Sequence, residues 1–287
     1  IYTLSLHDAL PISSLWVHCT QMDLCRQPGG RMPDTTPPRW IALSWQLRES
    51  TPVTDGLSIA RIVQAGIEIA DEHGLGGLSL RKLGEHLGAG TMAAYRHMRS
   101  KEELIHLMVD VAFGQPPEGI IEAADWRTGV RLWAAGMAER YRQHSWLLDA
   151  PLVAMSMTPN RLLWLDHILR PLGETGMDIQ HLLEAALFVD GHVRHVAYLR
   201  RELSARTPSP RQAMPPWLSA LLDDDSFPMA RRVLAAGLLE DGDEQDMEFG
   251  LDWIIAGIEA NSPRTGENSG NRKGRGHGAA EARSGVV

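Results

Sequence analysis

Three observations predict an all-α fold, with a compact N-terminal helical unit followed by a larger C-terminal helical region. Apolar residues recur at helical spacing in successive blocks from Ser58 to Ala260. No stretch repeats the apolar/polar alternation and turn chemistry of half-buried strands. Of the 287 residues, 44% are apolar, which supports a well-buried core in one large or two small domains.

The first residues are set aside. The opening "IYTLSLHDALPIS" has neither a cationic start nor a long apolar core, so it is a poor signal peptide. It resembles a translated sequencing adaptor, and residues 14–35 fall under the same doubt. Pro28 to Pro38 is rich in proline and glycine and reads as linker. "RWIALSWQLRES" (39–50) has Trp40, Leu43 and Leu47 on one side, as a short helix would. Residues 1–56 as a whole are assigned to an N-terminal extension, disordered or partly spurious.

From Ser58 the elements follow closely. Ile59, Ile62, Val63, Ile67 and Ala70 form one helix face, with Ser58 as N-cap and Gly74 as the stop. Ser79 caps a short helix with Leu80, Leu83 and Leu87 inward, ended by Gly88. Thr91 to His97 makes about two turns more. Ser100 and Glu103 spell a capping box, in which each side chain serves the other's backbone N–H. Leu104, Leu107, Met108 and Val111 continue that helix until Gly114, Pro116 and Pro117. Helical spacing then returns over 126–144, 159–172, 176–203 and 243–260, and two short helices are expected within 215–240. Thr158-Pro159 places an N-cap before a proline at the first helical position. The resulting domains are 57–113 for the helix-turn-helix unit and 114–260 for the helical body, with a disordered tail at 261–287.

Charge is informative only locally. Against 28 Lys+Arg stand 36 Asp+Glu, a net charge of −8. That argues against non-specific coating of nucleic acid by the whole surface. Between Ser79 and Lys101, however, Arg81, Lys82, Arg96, Arg99 and Lys101 face Glu85 alone. Phosphate contact supplies most sequence-independent affinity for DNA, so cations gather where a duplex docks. The pair 79–87 and 91–97 is a helix-turn-helix by spacing, with Gly84 where the helices approach and with apolar helices behind it. Spacing alone fits many helical hairpins; cap, glycines, charge island and backing helices together favour DNA binding.

The stretch "LSLRKLGEHLGAGTMAAYRHMRSKEELIHLMVD" resembles the DNA-binding module of tetracycline-repressor (TetR) transcriptional regulators over about residues 57–112. The joint pattern carries the resemblance: Gly74, the Leu-Ser-Leu-Arg start, Leu87-Gly88, Tyr95, His97 and Lys101-Glu102-Glu103-Leu104. The resemblance implies that Ser79 and Arg81 meet phosphate or the groove rim. Thr91, Met92 and Ala93 would face bases, and Tyr95, His97 and Lys101 would grip the backbone. Arg96, on the exposed side of the reading helix, would contact base or phosphate. The tip offers few hydrogen-bonding groups, so readout there would be apolar, as to thymine methyls.

"MEFGLDWIIAGIEA" resembles the last helix of the same family's ligand domain. Met247, Leu251, Ile254, Ile255 and Ile258 form one stripe, with Phe249 and Trp253 off it. A helix that is apolar on more than one side must be covered on more than one side. The resemblance implies a homodimer joined by a four-helix bundle, its two heads meeting a palindromic double-stranded operator.

Candidates for lining a small-molecule effector pocket are Trp133, Met137, Trp164, His167, His192 and His195. Aromatic and thioether side chains line apolar cavities well, and they also fill ordinary cores. His192 and His195, at i and i+3, can share a ligand or a metal; His181 and Asp190 fall off that face, and a third ligand is missing. The reading is a ligand-responsive, homodimeric repressor that releases its operator on binding a small apolar effector, with no cofactor and no enzymatic activity. Two alternatives are a helical metal-dependent enzyme and a DNA-binding protein without an effector. The chain lacks a run of about 18 apolar residues, and Cys19 and Cys25 form no disulfide or zinc framework. A cytoplasmic, membrane-free protein is expected.

Overall fold

A computed structural model describes residues 37–49, 57–88, 96–151, 157–204, 217, 226–236 and 244–263. The helices are α1 (Arg39–Glu49), α2 (Ile59–Gly77), α3 (Leu80–His86), α4 (Lys101–Phe113), α5 (Trp126–Gln143), α6 (Pro159–Gly173), α7 (Ile179–Ser204), α8 (Pro228–Ala235) and α9 (Glu244–Asn261). A 3-10 turn, Ser145–Leu148, follows α5. No strand occurs among the described residues.

The head is built as the apolar spacing requires. Ile62 and Val63 of α2, Leu83 of α3, Met98, and Leu104, Leu107 and Met108 of α4 are wholly buried together. Full burial of such a side chain contributes roughly 2 kcal/mol. The serine caps hold as predicted. Ser58, Ser79 and Ser100 each accept a hydrogen bond from the backbone N–H three residues on. Gly74 takes φ +65°, where a side chain would be strained. The regular helix therefore stops there, and Leu75–Gly77 is a turn appended to α2.

Two expectations are corrected and two are refined. First, the short helix read over 39–50 is present as α1, so the extension assigned to 1–56 is not disordered or spurious throughout. Leu43 of α1 is buried, and Trp40 stacks on His106 of α4 at 4.5 Å. Second, the capping box is displaced. Glu103 accepts from the Arg99 N–H (2.7 Å) and not from Ser100, because Arg39 draws its carboxylate outward past the cap. Third, Thr158 is the N-cap of α6 with Pro159 at the first helical position, as expected, but its hydroxyl makes no capping bond. The Asp110 carboxylate of α4 takes its place, accepting from the Asn160 and Arg161 N–H groups at 3.0 and 3.3 Å. Fourth, the long helix expected from 176 begins at Ile179. Gly176 has φ +74°, which no right-handed helix contains, and Asp178 caps the true start through the N–H groups of Gln180 and His181.

Of the two short helices expected within 215–240, α8 is described with its flanking residues 226, 227 and 236, and the rest of that segment lies outside the described residues apart from Trp217. So does the tail beyond Pro263.

In the body, α5 packs against α6 and α7, and α7 against α9. Trp133 and Trp164 meet edge to face at 5.6 Å. The Trp133 Nε1–H donates to the Trp164 carbonyl, and the Trp164 Nε1–H to the carbonyls of Phe113 and Gly114 at the end of α4. Buried Met247, Leu251, Ile255 and Ile258 anchor α9, whose acidic face is bound by α5: Arg131 to Glu248 (2.8 Å) and Asp252, Arg127 to Glu259. From Arg39 onward the described helices form one continuous unit.

Candidate nucleic-acid interface

The charge island faces outward. Arg81 and Lys82 of α3, Arg96 and Arg99 are exposed, while Leu83 and Gly84 between them are buried. Arg81 lies 3.7 Å from Glu85 on the same helix, an exposed pair that a phosphate can outcompete. Ser79 accepts the Lys82 N–H at the start of α3, so its hydroxyl helps to fix the rim as well as to line it. Thr91, Met92, Ala93 and Tyr95 lie outside the described residues; Arg96 and His97 are helical, and His97 is half-buried.

Lys101 has a double engagement. Its Nζ donates to the Leu75 carbonyl at 3.1 Å, tying the turn after α2 to the start of α4. An ammonium has three donors, so a phosphate can still be held. His86 of α3 bonds Glu68 of α2 at 2.8 Å, and this bond holds the Glu68 carboxyl below its ordinary range.

Three acids of the head are engaged by other elements, while Glu68, Glu72, Glu85 and Glu102 stay exposed. Glu103 is buried against Arg39. Asp71 of α2 accepts from His144 Nδ1 (2.8 Å) and Trp146 Nε1 (2.7 Å), in and beside the 3-10 turn. Asp110 is buried at the N-terminus of α6, and burial pushes its carboxyl up, against the hydrogen bonds that pull it down. Among the described residues, Arg81, Lys82, Arg96 and Arg99 stay exposed, the kind of cationic rim a polyanionic duplex attracts.

The chain matches two family models: "Bacterial regulatory proteins, tetR family" over residues 62–108, and "Tetracyclin repressor-like, C-terminal domain" over residues 118–262. It is 31% identical to the HTH-type transcriptional repressor DrrR1 of Streptomyces coeruleorubidus, over 77% of this chain and 85% of that one. The chain belongs to the TetR family of transcriptional regulators. Another relative is the HTH-type transcriptional repressor Rv1353c of Mycobacterium tuberculosis, 28% identical over 72% of this chain and 83% of that one. Among solved structures, the TetR regulator SCO7222 of Streptomyces coelicolor superposes with a TM-score of 0.56 at 25% identity, covering 72% of this chain and all of that one. Apo ActR from the same organism gives a TM-score of 0.62 at 23% identity, over 73% and 98% of the two chains. The relatives are named as repressors and regulators, not enzymes. The segment that matches the family's regulatory model, residues 62–108, takes in most of α2, all of α3 and the first part of α4.

The six residues expected to line an effector pocket are dispersed. Met137 is wholly buried in the core. Trp133 and Trp164 border a small cavity of about 90 Å³ with Ile168, Ala186 and Asp190. His167 bonds the Leu163 carbonyl of its own helix, and His195 is exposed. His192 packs against α9, its Nε2 3.0 Å from the Met247 carbonyl. A Cβ on Gly250 would come within 2.2 Å of that ring, so the glycine is its seat. His181 lies at the start of α7 with Nδ1 2.7 Å from Asp178, which raises its pKa. No group of three metal-ligating side chains occurs among the described residues.

Sequence reasoning missed the larger cavity, of about 670 Å³. It lies between α5, the 3-10 turn, α7 and α9, bordered by Tyr141, Ser145, Leu148, Ala197, Arg201 and Met247. Its polar members carry no motif; only the packing of four elements brings them together.

Proposed function

We propose that this regulator is a homodimeric, effector-controlled repressor. The dimer holds a palindromic operator and releases it when a small, largely apolar molecule occupies the body. The observation that carries the reading is the 3-10 turn. Ser145 and Leu148 border the larger cavity, while Trp146 and the adjoining His144 bond Asp71 of the head. The turn is held from α7 as well, by Arg194 on the Leu148 carbonyl and Arg201 on Ser145 and Asp149. A ligand with different affinities for two settings of this turn shifts the head between two orientations. The fold accepts such ligands elsewhere: ActR has been solved with actinorhodin.

Dimerisation is supported by the outer faces of α7 and α9. Phe188, Tyr198 and Leu199 of α7 and Phe249 and Trp253 of α9 are exposed in the single chain, with the last two rings 6.0 Å apart. Exposed aromatic faces on two adjacent helices need a partner, and a second copy gives two heads related by a twofold axis. No helix among the described residues is long and apolar enough to cross a membrane, and a cytoplasmic site of action fits DNA binding.

Selection from a random-sequence duplex pool with the full chain should return a pseudo-palindrome with half-sites about one helical turn apart. Recovery of unrelated sequences would sink the operator reading. Titrating hydrophobic small molecules against tryptophan fluorescence then identifies a ligand that lowers affinity for the selected duplex. In Asp71→Ala that ligand should still bind but release DNA poorly, because the link from turn to head is cut. Equal release by both proteins would show that the signal takes another route.

A further inference from the structure

We propose that Arg39, on a helix outside both segments that match the family models, is a positioning residue for operator binding. It locks the end of the reading helix onto the start of α4. The proposal rests on the assignment of the head as the DNA-binding surface.

The geometry is a three-acceptor clamp. Arg39 Nη1 lies 2.6 and 2.5 Å from the two carboxylate oxygens of Glu103. Nη2 donates to the His97 carbonyl at 3.0 Å. The same carboxylate accepts the Arg99 N–H at 2.7 Å. One guanidinium thus spans the last turn of the reading helix, the connection that follows it and the first turn of α4.

Three physical demands meet here. The last carbonyls of a helix have no partner within it, and a cation at that end is favoured by the helix dipole. A short helix does not hold itself in water, so the orientation of a segment ending at His97 is set by tertiary contacts. Glu103, if uncompensated, would place a buried negative charge behind a surface that must approach phosphates. Arginine answers all three with one planar fork, which lysine cannot reproduce.

The clamp is itself anchored. Leu43 of α1 is buried, and the Trp45 Nε1–H donates to the Met157 carbonyl beside α6. Arg39 therefore reaches Glu103 from a fixed support, 64 residues away in sequence.

The test uses the full chain and a duplex obtained by the selection above. Failure of that selection counts against the head assignment and leaves the clamp unaddressed by these binding data; hydrogen exchange then decides the clamp alone. Arg39→Met keeps the aliphatic stem and removes the fork. Its affinity for the duplex should fall roughly ten- to a hundred-fold, the worth of lost charge-assisted hydrogen bonds. Its plot of log affinity against log salt should run parallel to wild type, because no phosphate contact is lost. Arg39→Lys should recover part of the loss. The Glu103→Gln and double variants should be non-additive, and the Arg99 amide should exchange faster in Arg39→Met. A salt slope shallower by about one unit would make Arg39 a direct phosphate contact and overturn the proposal. So would unchanged affinity together with an unchanged Arg99 exchange rate, or a loss accounted for entirely by the unfolded fraction measured by circular dichroism.

Discussion

On the side of the head read as facing the groove, Arg81, Lys82, Arg96 and Arg99 are exposed; on the side that meets the rest of the fold, here the inner side, half-exposed Asp71 and buried Glu103 and Asp110 are each bonded to another element. The outward cations touch little of the fold. The inward acids each hold a joint: Asp71 to the 3-10 turn, Glu103 to α1, Asp110 to α6. Three of the head's acids are thus committed to contacts within the fold, while the cations of the island stay exposed. The difference also separates two kinds of mutational effect. Substitutions on the inner side should change stability and coupling, and those on the groove side should change DNA affinity alone.

The largest effect is expected at Asp110. It is 3% exposed and caps α6 from another helix. Asp110→Ala leaves the Asn160 and Arg161 donors buried without their acceptor and should cost about 3 kcal/mol, measured by urea unfolding. Asp110→Asn keeps an acceptor and should cost less. The two proteins should also differ in pH dependence. Burial raises the folded-state pKa of Asp110 above 3.8, so the folded state binds the proton more tightly than the unfolded chain. Wild-type stability therefore declines as pH rises from 3.8 through the raised value, and Asp110→Asn should lack that component. A parallel pH profile in the two proteins would show that Asp110 titrates normally.

Local features were legible in the sequence, and distant ones were not. Ser58, Ser79 and Ser100 announced their helices because an N-cap bonds within its own first turn. The apolar stripe of α9 and the misplaced Phe249 and Trp253 were visible by the same local rule. Arg39–Glu103, Asp71–Trp146 and Asp110–Asn160 join residues 64, 75 and 50 positions apart, and no periodicity encodes such pairs. His192 and His195 looked paired because they are i and i+3, but the fold sends one ring against Gly250 and the other to solvent. A glycine inside the apolar stripe of the last helix was the available signal of a close approach. The larger cavity gave no signal, since its lining is shared among four elements far apart in sequence.

Lys101 stands on the boundary between the two sides and should show both effects in reduced form. Its bond to the Leu75 carbonyl is half-buried. Lys101→Met keeps the stem and should cost about 1 kcal/mol of stability. It should also lower the salt slope of DNA binding by roughly one unit if the ammonium meets a phosphate. Loss of stability with an unchanged slope would assign Lys101 wholly to the inner side.

Arg96→Ala should be the purest groove-side change and the smallest in stability. Arg96 is exposed at the end of the reading helix, and exposed substitutions of this kind fall within about 0.5 kcal/mol. Unfolding curves of variant and wild type should therefore overlie. Binding separates two roles for the side chain. A phosphate contact predicts uniform weakening across all duplexes and a salt slope lower by about one unit. A base contact predicts a loss of roughly 1–3 kcal/mol on the selected duplex alone, with discrimination relaxed at one position of each half-site. Either result keeps Arg96 on the reading surface. A destabilised fold with intact DNA affinity would place it on the inner side instead, and the division between outward cations and inward acids would fail at the residue where it should be cleanest.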